Sequence, residues 1–218
     1  MLSGYSEPAN WNRLIVAPIW MKKRFLEMIH RETKNAKEGK PAKIIAKCNS
    51  LCDRKIILAL YEASCAGVQV DLIVRGICCL VAGKPGVSEN IRVRSIVGTF
   101  LEHARIFYFY NDGHEEIYMG SADWMPRNLD RRVEIVFPVE EEELKEKAKH
   151  ILDVQLSDTL KAHRLLEDGT YQKVDRRGKE AIEAQKTFCE EAIAAANESK
   201  KKVPKKRTFD PRFSPQEE

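Results

Sequence analysis

Between residues 43 and 74 the sequence sets an amphipathic helix between two short apolar runs, and few architectures accommodate that pattern. Residues 43–48 and 68–74 have the length and β-branched content of buried strands. Asp53 stands as a cap ahead of Ile56, Ile57, Leu60 and Ala63, which share one helical face, and Gly67 stops the helix. A strand, a helix and a strand at this spacing form a parallel βαβ unit. The class is therefore α/β. A helix precedes the unit, with Met21, Phe25, Met28 and Ile29 at helical spacing through about Ala36, and Gly39 and Pro41 close it.

Beyond Arg75-Gly76 the pattern predicts a Cys-rich apolar stretch, a loop around Gly83, Pro85 and Gly86, and a helix over 94–102. Residues 106–110 are apolar on both faces and read as a central strand. Asn111-Asp112-Gly113 turns that strand into a partner over 116–120, giving a hairpin. One more strand is expected over 133–138. A long helix over 140–166, acidic in its first turn as the helix dipole favours, precedes a smaller one over 179–197. The expected whole is a mixed β-sheet flanked by helices. Residues 1–18 read as an irregular linker, 19–198 as the folded domain, and 199–218 as a disordered basic tail without the apolar content to fold.

With 43% hydrophobic residues among 218, the chain can bury a core. The tail holds Lys200, Lys201, Lys202, Lys205, Lys206, Arg207 and Arg212 against Asp210, Glu217 and Glu218, so it carries the whole net charge of +4. The body is neutral. Affinity of the body for a polyanion must then come from local clustering of arginines. No apolar run is long enough to span a membrane and the N-terminus lacks signal-peptide zones, so a soluble cytoplasmic protein is expected. The six cysteines, Cys48, Cys52, Cys65, Cys78, Cys79 and Cys189, lack the paired C-x-x-C spacing of zinc sites. They read as reduced, buried small hydrophobes, and no metal site is expected in this chain.

His30, His114, His150 and His163 fall on expected helix surfaces or in a turn. His103 lies instead at the entry to the central strand, in Leu101-Glu102-His103-Ala104-Arg105, with Gly120-Ser121-Ala122-Asp123-Trp124 following. A histidine two residues from a cation, beside a Gly-Ser turn, suits phosphate oxygens. A core histidine with satisfied hydrogen bonds fits the same spacing. Arg75 follows the strand over 68–74, and α/β sheets collect ligands at the carboxyl ends of their strands. If the strand over 106–110 runs antiparallel to it, Arg75 and His103 converge; the plainer alternative pairs Arg75 with Asp71 or Glu102. Arg105, Ser121 and the cluster Arg127, Arg131 and Arg132, which includes Asn128, are further phosphate-binding candidates, since the guanidinium fork matches phosphate geometry.

Several longer motifs carry a family resemblance. They are Tyr5-Ser6-Glu7-Pro8, Lys47-Cys48-Asn49-Ser50-Leu51, Leu72-Ile73-Val74-Arg75-Gly76-Ile77-Cys78, Ser88-Glu89-Asn90-Ile91-Arg92, Phe100-Leu101-Glu102-His103 and the run from Gly120 through Asn128. Over about residues 4–175 the chain resembles the C-terminal end of bacterial polyphosphate kinases, the family that autophosphorylates on histidine. The resemblance implies a phospholipase D-like domain, the second of two in that family's catalytic half. It implies reversible transfer of the terminal phosphate of ATP to inorganic polyphosphate, with ATP and ADP as nucleotides. Arg75 and His103 match the family positions that contact nucleotide phosphates, and His103 would be catalytic. The phosphorylated histidine belongs to the preceding domain, which is missing here, as are the family's magnesium-binding residues. Mg2+ would thus act through that domain, which would be a partner within a homo-oligomeric complete enzyme, and Met1 would start a truncated chain or a fragmentary reading frame. The chain taken alone would be inactive.

Two other readings remain at this point. A phospholipase D-like phosphodiesterase would use a His-x-Lys unit and a Gly-Ser-x-Asn unit, but Arg105 and Asp123 stand where that pattern has lysine and asparagine. The carboxylate would repel phosphate unless an arginine paired with it. A non-enzymatic reading makes residues 200–207 a tether for polyanions, with no specific nucleic acid implied.

Overall fold

Nine strands form one mixed sheet, and the chain wraps helices over both of its faces; the computed structural model describes residues 11–202. In chain order the elements are β1 (Ile15–Ala17), α1 (Met21–Lys37), β2 (Lys43–Cys48), α2 (Arg54–Cys65), β3 (Gln69–Val74), β4 (Ile91–Ile96), β5 (Ile106–Phe109), β6 (Glu116–Gly120), α3 (Pro126–Asp130), β7 (Glu134–Val139), α4 (Glu142–Ser157), β8 (Ala162–Leu165), β9 (Tyr171–Lys173) and α5 (Ala184–Lys202). The sheet order is β1-β7-β6-β5-β2-β3-β4-β8-β9. β2, β3 and β4 are parallel to one another, and the other pairings are antiparallel.

The βαβ unit forms as its pattern requires. The Asp53 carboxylate accepts the N–H groups of Lys55 and Ile56 at 3.0 and 3.1 Å, satisfying two donors that the first turn of α2 leaves open. Ile56, Leu60 and Ala63 then bury against Val70, Leu72 and the α1 side chains Phe25 and Met28. Phe25, Phe107 and the buried Trp124 form an aromatic group with ring centroids 4.7 to 5.6 Å apart. On the other face Ala148 and Leu152 of α4 close a second core over Ile45, Ile73, Ile106, Tyr108 and Ile117. Full burial of each such large side chain stabilises by about 1.5–3 kcal/mol. Alternating residues of β2 therefore feed two cores, Ile44, Ala46 and Cys48 on one face and Ile45 on the other, which is why residues 44–48 are apolar apart from Lys47.

Several expectations are corrected. The segment over 94–102 is not a helix: its first residues finish β4, where Ile91 and Val93 point to one core while Arg92 alternates outward, and the loop from Val97 to Arg105 follows. The long helix stops at Ser157. One oxygen of Asp158 accepts the N–H groups of Lys161 and Ala162 at 2.7 and 2.9 Å, the other accepts that of Ala184, and the chain turns into β8, which pairs with β4. The final helix begins at Ala184 and continues through Lys202, so the first residues of the expected tail are helical. Residues 15–17 of the expected linker form β1, paired with β7. The remaining parts of the linker and tail, 1–10 and 203–218, lie outside the described residues. Of the cysteines only Cys48 is buried; Cys52 and Cys78 are half-buried, Cys65, Cys79 and Cys189 are exposed, and all six are free. Local apolar neighbours misled that expectation because Cys65 and Cys189 sit on outward helix faces and Cys79 in a loop.

Candidate phosphate-binding edge

Register brings the candidate residues to one end of the sheet. Lys47 of β2 pairs with Ile73 of β3 on one side and with Ile106 of β5 on the other. β5 runs opposite to β2 and β3, so the chain leaving β3 through Arg75 and the chain entering β5 from His103 share an edge. β6 ends there as well, with the Gly120 N–H donating to the Arg105 carbonyl at 3.4 Å, and β7 begins there at Glu134. Between them lies α3 with the arginine cluster. This is the carboxyl end of the parallel strands.

The side chains at this edge divide into committed and uncommitted groups. His103 is exposed, and neither it nor the half-buried Arg75 forms a side-chain hydrogen bond or ion pair within the described residues. Their backbones are nevertheless held: the Arg75 carbonyl accepts the Ser95 hydroxyl at 3.1 Å, and the His103 carbonyl accepts Arg105 Nη1 at 2.8 Å. The core-histidine alternative is therefore excluded. So is the pairing of Arg75 with Asp71 or Glu102, since Asp71 accepts Arg92 at 2.8 and 3.0 Å and Glu102 accepts Lys47. Arg127, Arg131 and Arg132 are exposed.

Arg105 and Ser121 are occupied. Arg105 donates through Nε and Nη2 to the two oxygens of Asp123 at 3.1 and 3.0 Å, and both side chains are about nine-tenths buried. Asp123 also accepts the backbone N–H of Asn49 at 2.7 Å and its Nδ2 at 3.3 Å. The carboxylate that replaces the phosphodiesterase pattern's asparagine is thus neutralised inside the protein. The Ser121 hydroxyl donates to Glu134, whose other oxygen accepts Asn128 Nδ2 at 2.6 Å. Gly120 is small for a packing reason: a Cβ there would meet the Ile135 carbonyl oxygen at 2.2 Å.

Sequence reasoning missed the support beneath His103. Lys47 is buried in the sheet and its Nζ donates to Glu102 at 3.0 Å. Glu102 also accepts Gln155 Nε2 from α4 and Gln185 Nε2 from α5, the latter at 3.0 Å. Gln185 further clamps the backbone of Phe100, accepting its N–H at 3.0 Å and donating to its carbonyl at 2.8 Å. The loop into His103 is therefore fixed from three elements. One signal was available in the sequence: a lysine set between the apolar residues 44–46 and Cys48 of a buried strand must find an anion.

Burial pushes the Cys48 thiol far up, and the neighbouring Asp123 charge adds to the effect, so it is no nucleophile. Burial raises Cys52 and Cys78 in the same direction. The residues at this edge do not fit a magnesium ion, since Asp123, Glu102 and Glu134 are each occupied by cationic or N–H and O–H donors. Among the described residues no group of three His, Cys, Asp or Glu side chains could hold a metal. No helix among them is long and apolar enough to cross a membrane.

Comparison with known proteins falls on this same architecture. Residues 14–185 match the family described as Polyphosphate kinase C-terminal domain 2. A polyphosphate kinase of Synechocystis sp. (strain ATCC 27184 / PCC 6803 / Kazusa) is 52% identical over 90% of this chain and 27% of its own length. One of Lactiplantibacillus plantarum is 45% identical over 100% of this chain and 31% of its own. The crystal structure of polyphosphate kinase from Porphyromonas gingivalis superposes with a TM-score of 0.84 at 40% identity, over 91% of this chain and 30% of that one. The chain thus spans about three-tenths of the length of these relatives. From β1 to the start of α5, the sheet and the edge that gathers Arg75 and His103 lie within the matched region, and the chain belongs to the polyphosphate kinase family as its C-terminal domain 2.

Proposed function

We propose that this domain supplies the phosphate-holding wall of a polyphosphate kinase, where Arg75 and His103 contact the phosphates of ATP and of inorganic polyphosphate during reversible transfer of the terminal phosphoryl group. The observation that carries this reading is the division of the edge: Arg75 and His103 have backbones pinned by hydrogen bonds and side chains with no hydrogen-bond or ion-pair partner among the described residues, while the neighbouring Asp123 and Glu102 are each paired with a cation. Phosphoryl transfer needs little covalent chemistry from the protein. It needs the reactants in line and the charge on the transferring oxygens stabilised. Arg75 offers a planar fork of donors. His103 offers a ring N–H to a phosphoryl oxygen, or a site to give and take a proton. Arg127, Arg131 and Arg132 add cationic charge beside them. Arg105 and Ser121 act as supports, shaping the turns through Asp123 and Glu134.

The covalent acceptor is a histidine of the preceding domain, in line with the family resemblance, and Mg2+ acts through that domain. Ile77, Val97, Phe100 and Leu101 stand more than half exposed around this edge, an apolar surface suited to that domain's contact. The test is titration of the chain with linear polyphosphate at several salt concentrations. Binding should be weak and salt-sensitive, and Arg75→Ala should lower the slope of log affinity against log salt by about one. Unchanged affinity and slope in Arg75→Ala would remove Arg75 from the site.

A further inference from the structure

β4, β8 and β9 carry a basic groove for which the transfer chemistry has no use. Arg92, Arg94 and Ile96 alternate onto the same face of β4, and Ile96 packs in the core that α4 covers, so the groove opens on the α4 side of the sheet. Register sets Arg94 directly opposite Arg164 of β8, and Arg164 opposite Gln172 of β9. The groove measures about 770 Å³, and its lining holds Arg92, Arg94, Arg164, Lys173, Arg177 and Lys179 against a single carboxylate, Asp175. None of its lining residues belongs to the loops that carry Arg75 and His103.

Two of these cations are neutralised within the protein. Arg92 is bound by both oxygens of Asp71, and Arg177 by Asp175 at 2.7 Å. Arg164 and Lys173 form no side-chain hydrogen bond or ion pair within the described residues. Arg94 is half-buried and donates one N–H to the Gln155 carbonyl at 3.3 Å, which leaves most of its fork open. Like charges placed directly opposite on a ladder destabilise it. Burial lowers the Arg94 guanidinium, and the charges of Arg92 and Arg164 act in the same direction against Asp71 and Asp158. A bound anion would offset both effects. No aromatic side chain lines the groove, so it has no stacking platform for nucleobases, whereas open guanidinium forks match phosphate oxygens.

We infer that this groove binds a linear condensed phosphate, with Arg94 and Arg164 as its principal contacts. The choice of polyphosphate among phosphate polymers rests on the function proposed above. A strand of polymer held here would be tethered to the domain while its end is processed.

The experiment titrates the full 218-residue chain with linear inorganic polyphosphate at several salt concentrations, comparing wild type with the Arg94→Gln/Arg164→Gln double variant. The tail is common to both and cancels. The double variant should bind at least about tenfold more weakly, with the salt slope reduced by about two. Arg94→Lys/Arg164→Lys should keep the slope and lose part of the affinity, because the charge stays and the fork is gone. Urea midpoints check folding, and Arg164→Gln alone, an exposed position, provides the reading if the Arg94 substitution unfolds the chain. Unchanged affinity and slope would overturn the inference, and so would single-stranded RNA that binds as tightly and shows the same dependence on Arg94 and Arg164. Arg75→Ala in the same titration separates the two proposals: an effect of Arg75 alone sinks the groove, and an effect of the groove variants alone sinks the role of Arg75.

Discussion

His103→Ala in a complete polyphosphate kinase should lower turnover by roughly a hundredfold or more, the range for losing a positioned acid/base or a donor that stabilises developing charge. Folding should be nearly unaffected. The imidazole is exposed and forms no hydrogen bond or ion pair with a described residue, so its removal costs little packing and leaves no buried polar group unsatisfied. A core histidine would behave oppositely, with a large stability loss and activity falling only as folded protein is lost. Urea titrations alongside single-turnover transfer assays separate the two. An unchanged rate per folded molecule would remove His103 from the chemistry.

Glu102→Ala should destabilise the domain by about 3–5 kcal/mol, because it leaves the Lys47 ammonium buried in the sheet without its counter-charge. The Lys47 side chain is only 5% exposed and that of Glu102 16%, so water cannot replace the lost partner without opening the loop. Lys47→Met should cost less: it removes the charge together with its desolvation, and Gln155 and Gln185 still hold Glu102. In the Lys47→Met/Glu102→Ala double variant most of the Glu102→Ala loss should disappear, a coupling measurable from urea midpoints. If Glu102→Ala costs under about 1 kcal/mol, the pair behaves as a solvent-screened surface bridge and is not the anchor of the His103 loop.

The two interactions differ in how far the sequence exposes them. The βαβ unit and the 106–120 hairpin were legible because their signals are local: an Asp cap, an apolar helical face, an Asn-Asp-Gly turn. β4 is not legible locally because Arg94, Ile96 and Val97 also suit a short helix, and only pairing with β3 and β8 decides for a strand. β8 was absorbed into the preceding helix for a similar reason, since Leu152, Leu156 and Leu160 continue a helical spacing past Ser157. The stop comes from Asp158, whose second oxygen binds a residue 26 positions away.

The edge follows the same rule. Arg75 and His103 could be singled out from strand ends and motifs, and register then brings their loops to one edge. The partition of the arginines could not be read in this way. Arg105 is spent on Asp123, 18 residues on, and Glu102 on Lys47, 55 residues back. Gln185 enters from a helix that the periodicity placed only approximately. Long-range pairing of charged groups has no period, so a sequence shows that Lys47 needs an anion without showing which one.

The central claim is a division of labour: this domain holds phosphate through Arg75 and His103, and the covalent acceptor lies in another part of the enzyme. Incubating the chain with labelled ATP and magnesium, then assaying acid-labile phosphate on the protein and polymer in solution, tests it most directly. Neither product should form from a folded chain that still binds polyphosphate. Stable phosphohistidine on any of His30, His103, His114, His150 or His163, or polymer formed by the chain alone, would contradict it.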